Sequence, residues 1–165
     1  KYKIIRYLLD LIVFIYNMVI RYFLINNRKV KKMQYQYHDG NRTVDYPRKR
    51  KGADCVVRSI SIILNQPYKT TLKDLCDYAV QFGAIPNEDW LYEKYLLDKG
   101  FEKQKPPRIN GRKIQLCNFE FKGRCVLRTR GHLTAIIDDT VYDIWDCRQS
   151  NCNSYYVYNK GVKSA

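Results

Sequence analysis

The stretch Lys51-Gly52-Ala53-Asp54-Cys55-Val56-Val57-Arg58-Ser59-Ile60 decides how the chain folds. It places a cysteine three residues after a glycine and directly after an aspartate, a residue type that commonly caps helices. Apolar residues then recur at helical spacing, at Val56, Ile60 and Ile63. The pattern predicts a helix that buries its apolar side and carries Cys55 in its first turn.

A cysteine in the first turn of a helix is a candidate nucleophile. The thiolate is the reactive form, and the unpaired N–H groups and partial positive charge of a helix start favour that anion. The alternative is a buried structural residue, because free cysteines often serve as small core hydrophobes. A histidine and an acid farther along the chain favour the first interpretation.

Two predicted strands downstream supply those partners. His132 begins the first strand, and residues 141–147 form the second. A histidine there can act as base for the cysteine, with an acid that fixes its tautomer. A three-residue turn between the strands puts Asp146 beside His132, whereas a two- or four-residue turn favours Asp143. We expect Asp146 to orient the histidine, with Asp143 as the alternative acid.

Helical and strand patterns follow one another along the chain. Helices are expected from Cys55 to about residue 65, from residue 71 to 83 and from 88 to 98. Residues 101–113 are expected to form a basic loop, and residues 114–121 fit either a short helix or a strand. Short strands are expected at 124–129, 132–138, 141–147 and 154–158. Helices first and strands afterwards predict the α+β class.

The six cysteines argue against a metal centre. None belongs to a C-x-x-C pair, and the only two histidines, His38 and His132, are far apart in sequence. The sequence therefore predicts no zinc site and no metal or other cofactor. Cysteines on predicted helices and strands, such as Cys76 and Cys125, fit a reducing compartment, which favours a cytoplasmic location.

Residues 1–32 differ in composition from the rest of the chain. The stretch from Tyr7 to Ile25 is almost entirely apolar, and its polar residues Asp10, Asn17 and Arg21 share one helical face. A membrane helix with a polar stripe and an amphipathic interfacial helix both fit, as does translation starting at Met33. Because a small-residue cleavage site is lacking, a cleaved signal peptide is not expected.

The chain is strongly basic, with a formal net charge of +14. Half of that charge belongs to residues 1–32, and residues 33–51 are predicted to form a basic linker that includes Arg48–Lys51. No known nucleic-acid motif accompanies these charges, so a nucleic-acid partner is not expected. The oligomeric state stays open.

Three segments together resemble a known family: residues 54–60, 131–138 and 142–147. They are similar to small papain-like cysteine peptidases of phages and bacteria, related to the bacteriocin-processing peptidases. The resemblance covers roughly residues 50–158. It implies a papain-like domain at residues 52–165, with cysteine-bearing helices packed on an antiparallel sheet that carries histidine and acid.

The resemblance also implies roles for single residues. Cys55 corresponds to the nucleophile, His132 to the general base and acid, and Asp146 to the residue that orients it. Papain-like enzymes usually have a glutamine or similar oxyanion donor before the cysteine, where this chain has Arg48–Lys51. Asn41, a lysine and a backbone N–H are the candidate replacements, and Trp145 is a candidate substrate contact.

The expected function is therefore thiol hydrolysis of an amide bond in a polypeptide or related substrate, through an acyl-enzyme. Two alternatives stay open. An acyl- or amide-transferase or a deamidase could use the same triad with another acceptor. A non-catalytic basic binding protein could retain the peptidase fold, and its binding would survive Cys55→Ala and weaken with salt.

Overall fold

The computed structural model describes residues 11–20, 32–47 and 52–158. The chain divides into two compact units, Lys1–Lys31 and Lys32–Ala165. In the first unit, residues 11–20 are helical and are called α1 here. Among the described residues, no helix is long and apolar enough to cross a membrane. The rest of the predicted N-terminal helix, the basic residues 48–51 and residues 159–165 lie outside the described residues.

The second unit combines helices with short strands. The helices are α2 (Arg42–Asp45), α3 (Cys55–Leu64), α4 (Tyr68–Phe82) and α5 (Asp89–Asp98). The strands are β1 (Gln34–Tyr37), β2 (Phe101–Gln104), β3 (Arg108–Ile109), β4 (Arg112–Lys113), β5 (Arg124–Arg128), β6 (Leu133–Ile137), β7 (Thr140–Asp143) and β8 (Ser154–Tyr158). The predicted α+β class is confirmed.

Six of these strands form one mixed sheet in the order β1-β7-β6-β5-β8-β2. The pair β1–β7 is parallel, and the other neighbours are antiparallel. The strands β3 and β4 form a separate small hairpin. Because β6 and β7 are antiparallel neighbours, the first residues of β6 lie beside the last residues of β7.

Each face of the sheet is covered by its own apolar cluster. On one face, side chains of α3, α4 and α5 pack against β5, β6 and β8 through residues such as Ile60, Leu75 and Ala135. On the other face, the segment around the 3₁₀ turn Leu116–Asn118 packs against Cys125 and Ile136. The sheet therefore holds α3, with Cys55 at its start, directly against β6.

The three helices predicted from residue 55 onwards are present in the predicted order, whereas the short helix α2 was not predicted. The helix that carries Cys55 ends at Leu64, and its C-cap Asn65 has a left-handed backbone conformation. The next helix begins at Tyr68, with Pro67 at its N-cap, earlier than the capping pattern at residue 71 predicts. The third helix begins at Asp89 and ends at Asp98.

The stretch predicted as a basic linker contributes to the fold where it is described. Residues 34–37 form β1 along the edge of the sheet, and the neighbouring Met33 is fully buried. Gly40 has φ 68°, and a Cβ built on it would lie 2.9 Å from the Cα of Arg58. This segment therefore packs against α3. The linker prediction is wrong for residues 33–47. It rested on the polar composition of this segment, but part of the segment forms an edge strand.

The turn between β6 and β7 decides which acid meets the histidine. Ile137 pairs with Thr140, so the turn has two residues, Asp138 and Asp139, and not three. Both have positive φ values, 45° and 60°, as a type I′ hairpin turn requires. In this register residue 134 pairs with 143 in place of 144. The shift brings Asp143 close to the first residues of β6.

Candidate active site

Cys55 is the first residue of α3. The preceding Asp54 does not cap the helix with its side chain. Its buried carboxylate instead accepts hydrogen bonds from Arg42 Nη1 at 3.1 Å and from the hydroxyl of Tyr68 at 3.0 Å. Asp54 therefore anchors the chain just before the cysteine to α2 and α4, and its side chain does not bond the first-turn N–H groups of α3.

The thiol of Cys55 lies near the imidazole of His132 and the backbone N–H of Leu133. Burial raises the pKa of this thiol, but its interactions with His132, Leu133 and Arg58 outweigh burial. The pKa of Cys55 is therefore below its ordinary value. The structure thus brings together the predicted nucleophile and base, which are far apart in sequence.

The imidazole of His132 is bonded to Asp143, since Nε2 lies 2.6 Å from Oδ2. Burial lowers the pKa of His132, but hydrogen bonds with Asp143, Cys147 and Cys55 raise it well above its usual value. A lowered thiol pKa next to a raised imidazole pKa favours the thiolate–imidazolium pair. The two groups therefore titrate as one unit.

The preference for Asp146 is wrong, and the alternative acid Asp143 takes its place beside His132. Asp146 instead accepts two hydrogen bonds from the side chain of Arg148, at 2.9 and 2.8 Å, which lower its pKa. The cause is the two-residue turn, because a three-residue turn would have moved the second strand along by one position.

Asp143 is buried and held from several sides. Its Oδ1 accepts the backbone N–H of Ile144 at 2.7 Å and lies 3.6 Å from Arg58 Nη2. Arg58 is itself buried, and its Nη1 lies 3.5 Å from Asp54 Oδ1. Sequence reasoning missed Arg58, although a lone arginine among the apolar residues of the helix, three positions after the cysteine, was a usable signal.

Trp145 lies against the histidine, with ring centroids 5.2 Å apart. About half of the side chain of Trp145 is exposed. It therefore lies beside the imidazole with part of its surface exposed, and its role as a substrate contact stays a prediction.

Asn41 occupies a different part of the unit. It precedes α2 and lines a cavity of about 530 Å³ together with Ser61 and Ile62. Ser61 is six positions after Cys55, which corresponds to about 9 Å along a helix. Cys55 does not line this cavity, and the role of Asn41 as an oxyanion donor stays a prediction.

Cys147 is a buried thiol near the candidate site that the sequence did not indicate. Potential ligand atoms of His132, Asp143 and Cys147 all lie within 4.8 Å of one another. His132 and Asp143 are already hydrogen bonded at 2.6 Å, closer than two ligands of one tetrahedral zinc ion stand. The cation of Arg58 also lies beside Asp143. This arrangement fits a hydrogen-bonded acid–imidazole pair better than a metal centre.

The chain as a whole was compared with known proteins. No family model, curated protein or solved structure matches it. The candidate site therefore rests on the geometry of its own residues.

Proposed function

We propose that this protein is a papain-like cysteine peptidase that cleaves an amide bond through an acyl-enzyme. The observation that carries the proposal is the hydrogen bond between the His132 imidazole and the Asp143 carboxylate at 2.6 Å, next to a Cys55 thiol whose pKa His132 lowers. Nucleophile, base and orienting acid in this order are the parts that thiol acyl transfer requires.

In the proposed mechanism, the Cys55 thiolate attacks the carbonyl carbon of the amide. The imidazolium of His132 then donates its proton to the leaving amine, and a thioester remains on Cys55. Water attacks this thioester while His132 takes up a proton, and the carboxylic acid product leaves. Asp143 keeps the imidazole in the orientation that serves both steps.

The oxyanion formed in each step needs hydrogen-bond donors. The first turn of α3 offers backbone N–H groups beside Cys55, and a helix start also carries partial positive charge. We assign the oxyanion site to these groups in place of Asn41. Removing one donor from such a site typically slows a reaction by about 10²–10³-fold, so this assignment matters for the rate.

The experiment that tests the proposal uses the full chain, a diverse peptide pool and water enriched in ¹⁸O. A peptidase creates new carboxyl termini that carry ¹⁸O, which mass spectrometry detects, whereas a transferase produces adducts with a second substrate. We expect ¹⁸O-labelled cleavage with the wild type and with Cys76→Ser, whose thiol is exposed on α4. Cleavage should be lost in Cys55→Ala.

Cleavage that persists in Cys55→Ala would contradict the proposal, as would a peptide pool that stays intact with every variant. Adducts that depend on Cys55 but contain no ¹⁸O would move the assignment to an amide- or acyl-transferase.

A further inference from the structure

Arg58 joins the two ends of the candidate site. It lies on α3, three residues after Cys55, and its guanidinium reaches both Asp143 at 3.6 Å and Asp54 at 3.5 Å. Asp143 in turn is bonded to His132 at 2.6 Å. The helix that carries the nucleophile therefore also carries the cation that faces the orienting acid.

We propose that Arg58 is a positioning residue that acts through Asp143 to maintain the ion pair of Cys55 and His132. The inference rests on the proposed function and adds a fourth residue to it. Arg58 contacts the side of Asp143 opposite to the imidazole, because it faces Oδ1 while His132 is bonded to Oδ2. It therefore fixes the carboxylate without occupying the place of a substrate.

Charge and burial give the physical reason. Asp143 and Arg58 are each about 4% exposed. A buried carboxylate without a compensating cation tends to take up a proton or turn towards water. Either change removes the acceptor that orients His132. The loss of Arg58 also removes a positive charge near the Cys55 thiolate, so both consequences weaken the ion pair.

Arg42 provides a matched control within the same network. It too is a buried arginine paired with Asp54, at 3.1 Å. Among the described residues Arg42 forms an ion pair with Asp54, whereas Arg58 pairs with both Asp54 and Asp143. Replacing either arginine should lower stability by breaking a buried pair, but only replacement of Arg58 should change the reactivity of the thiol.

The test measures alkylation of Cys55 by iodoacetamide at pH 6 on the full chain, with each adduct located by mass spectrometry. We expect Arg58→Met to slow labelling of Cys55 by tenfold or more. Arg42→Met should slow it by less than threefold. The variant Arg58→Lys keeps the charge with a single ammonium that cannot reach both carboxylates, so it should be intermediate. Thermal unfolding monitors the fold of each variant.

A double variant separates positioning from a direct effect of charge. If Arg58 acts through Asp143, then Arg58→Lys should slow labelling only slightly further in an Asp143→Asn background. Full additivity of the two changes would overturn the inference, as would equal slowing in Arg58→Met and Arg42→Met. The double-variant test also holds if Arg58→Met fails to fold, because it uses Arg58→Lys.

The two proposals fail differently. Wild-type Cys55 that reacts no faster than the exposed Cys76 would overturn the proposed function, and the inference with it. Fast labelling of the wild type, with equal slowing in both arginine variants, would overturn the inference alone.

Discussion

Cysteines associated with opposite faces of the same sheet have thiol pKa values that are shifted in opposite directions. Cys55 starts α3 on the helical face, and its thiol pKa is lowered by its polar neighbours in spite of burial. Cys125 and Cys152 belong to the apolar cluster on the other face. Burial raises the pKa of Cys125 well above its usual value and raises that of Cys152 to about 12.

The difference shows that burial alone does not decide whether a thiol is reactive. Desolvation acts in the same direction on all three cysteines, because it disfavours the thiolate. Only Cys55 has an imidazole, a backbone N–H and a nearby arginine that together outweigh desolvation. The helical face therefore carries the candidate chemistry, and the other face supplies packing.

Removing the thiols one at a time should give the largest contrast. We expect Cys55→Ser to slow amide hydrolysis by at least about 10³-fold with little change in stability, because it removes the nucleophile. Cys152→Ser should leave the rate unchanged but lower the free energy of unfolding by about 1–3 kcal/mol, since it places a hydroxyl in a buried apolar site. Peptide cleavage and urea unfolding of both variants measure the contrast. A loss of rate in Cys152→Ser with none in Cys55→Ser would contradict it.

Two acids, one at the end of β7 and one in the segment that follows it, provide the next contrast. Asp143→Asn should slow hydrolysis by about 10²-fold or more, because an amide cannot stabilise the imidazolium as a carboxylate does. Asp146→Asn should change the rate by less than threefold, because Asp146 is bonded to Arg148 and not to His132. Rates from the same peptide assay decide between them, and a larger effect at Asp146 would contradict the observed hairpin register.

The pH dependence should separate Cys55 from an ordinary thiol. Because the folded-state pKa of Cys55 is lowered, its thiolate is lost only as the pH falls through that lowered value. Because the pKa of His132 is raised, its imidazolium persists until the pH rises through that raised value, above the usual 6.5. We expect kcat/KM to be bell-shaped between these two limits.

The acid limb of this profile is the diagnostic part. Its midpoint should lie below about 8.5, the value of a free thiol. The His132→Ala variant should shift the midpoint of Cys55 alkylation towards that free-thiol value. A wild-type midpoint at about 8.5 would contradict the ion pair.

The last contrast concerns the backbone that supports the helical face. Gly40→Ala should lower the free energy of unfolding by about 2–4 kcal/mol, because it adds a clash to an unfavourable positive φ. Its Cβ would lie 2.9 Å from the Cα of Arg58. Gly83 has a similar φ of 65° but open space around it, so Gly83→Ala should cost only about 1 kcal/mol. Equal losses in urea unfolding would show that the contact with α3 is unimportant.

Much of the fold could be predicted from patterns that are local in sequence. The helix that follows Cys55 and the strand of residues 154–158 have their predicted positions because periodicity and turn residues define them. The loop expected at residues 101–113 is wrong, because this stretch forms the short strands β2, β3 and β4. The strand β1 was missed because it is short, lies at the edge of the sheet and is largely exposed. Its place depends on pairing with β7, which no local pattern reveals.

The candidate site was predictable in its residue types but not in its register. Cys55 and His132 follow from a helix start and a strand start, each of which is a local feature. The choice between Asp143 and Asp146 depended on whether the turn has two or three residues. A difference of one residue changes which acid lies beside His132. The lone arginine in the helix was a signal for Arg58, but neither its partner nor the place of Cys147 could be assigned, because their relation to Asp143 and His132 exists only after the sheet has formed.

Selective labelling of the six cysteines at pH 6, in the wild type and in His132→Ala, tests the central claim most directly. An ordinary thiol is less than about 1% thiolate at this pH, whereas a paired thiolate reacts readily. We predict that the electrophile modifies Cys55 first in the wild type and that this preference is lost in His132→Ala. Slow labelling spread over several cysteines, with the same pattern in both proteins, would contradict the Cys55–His132 pair.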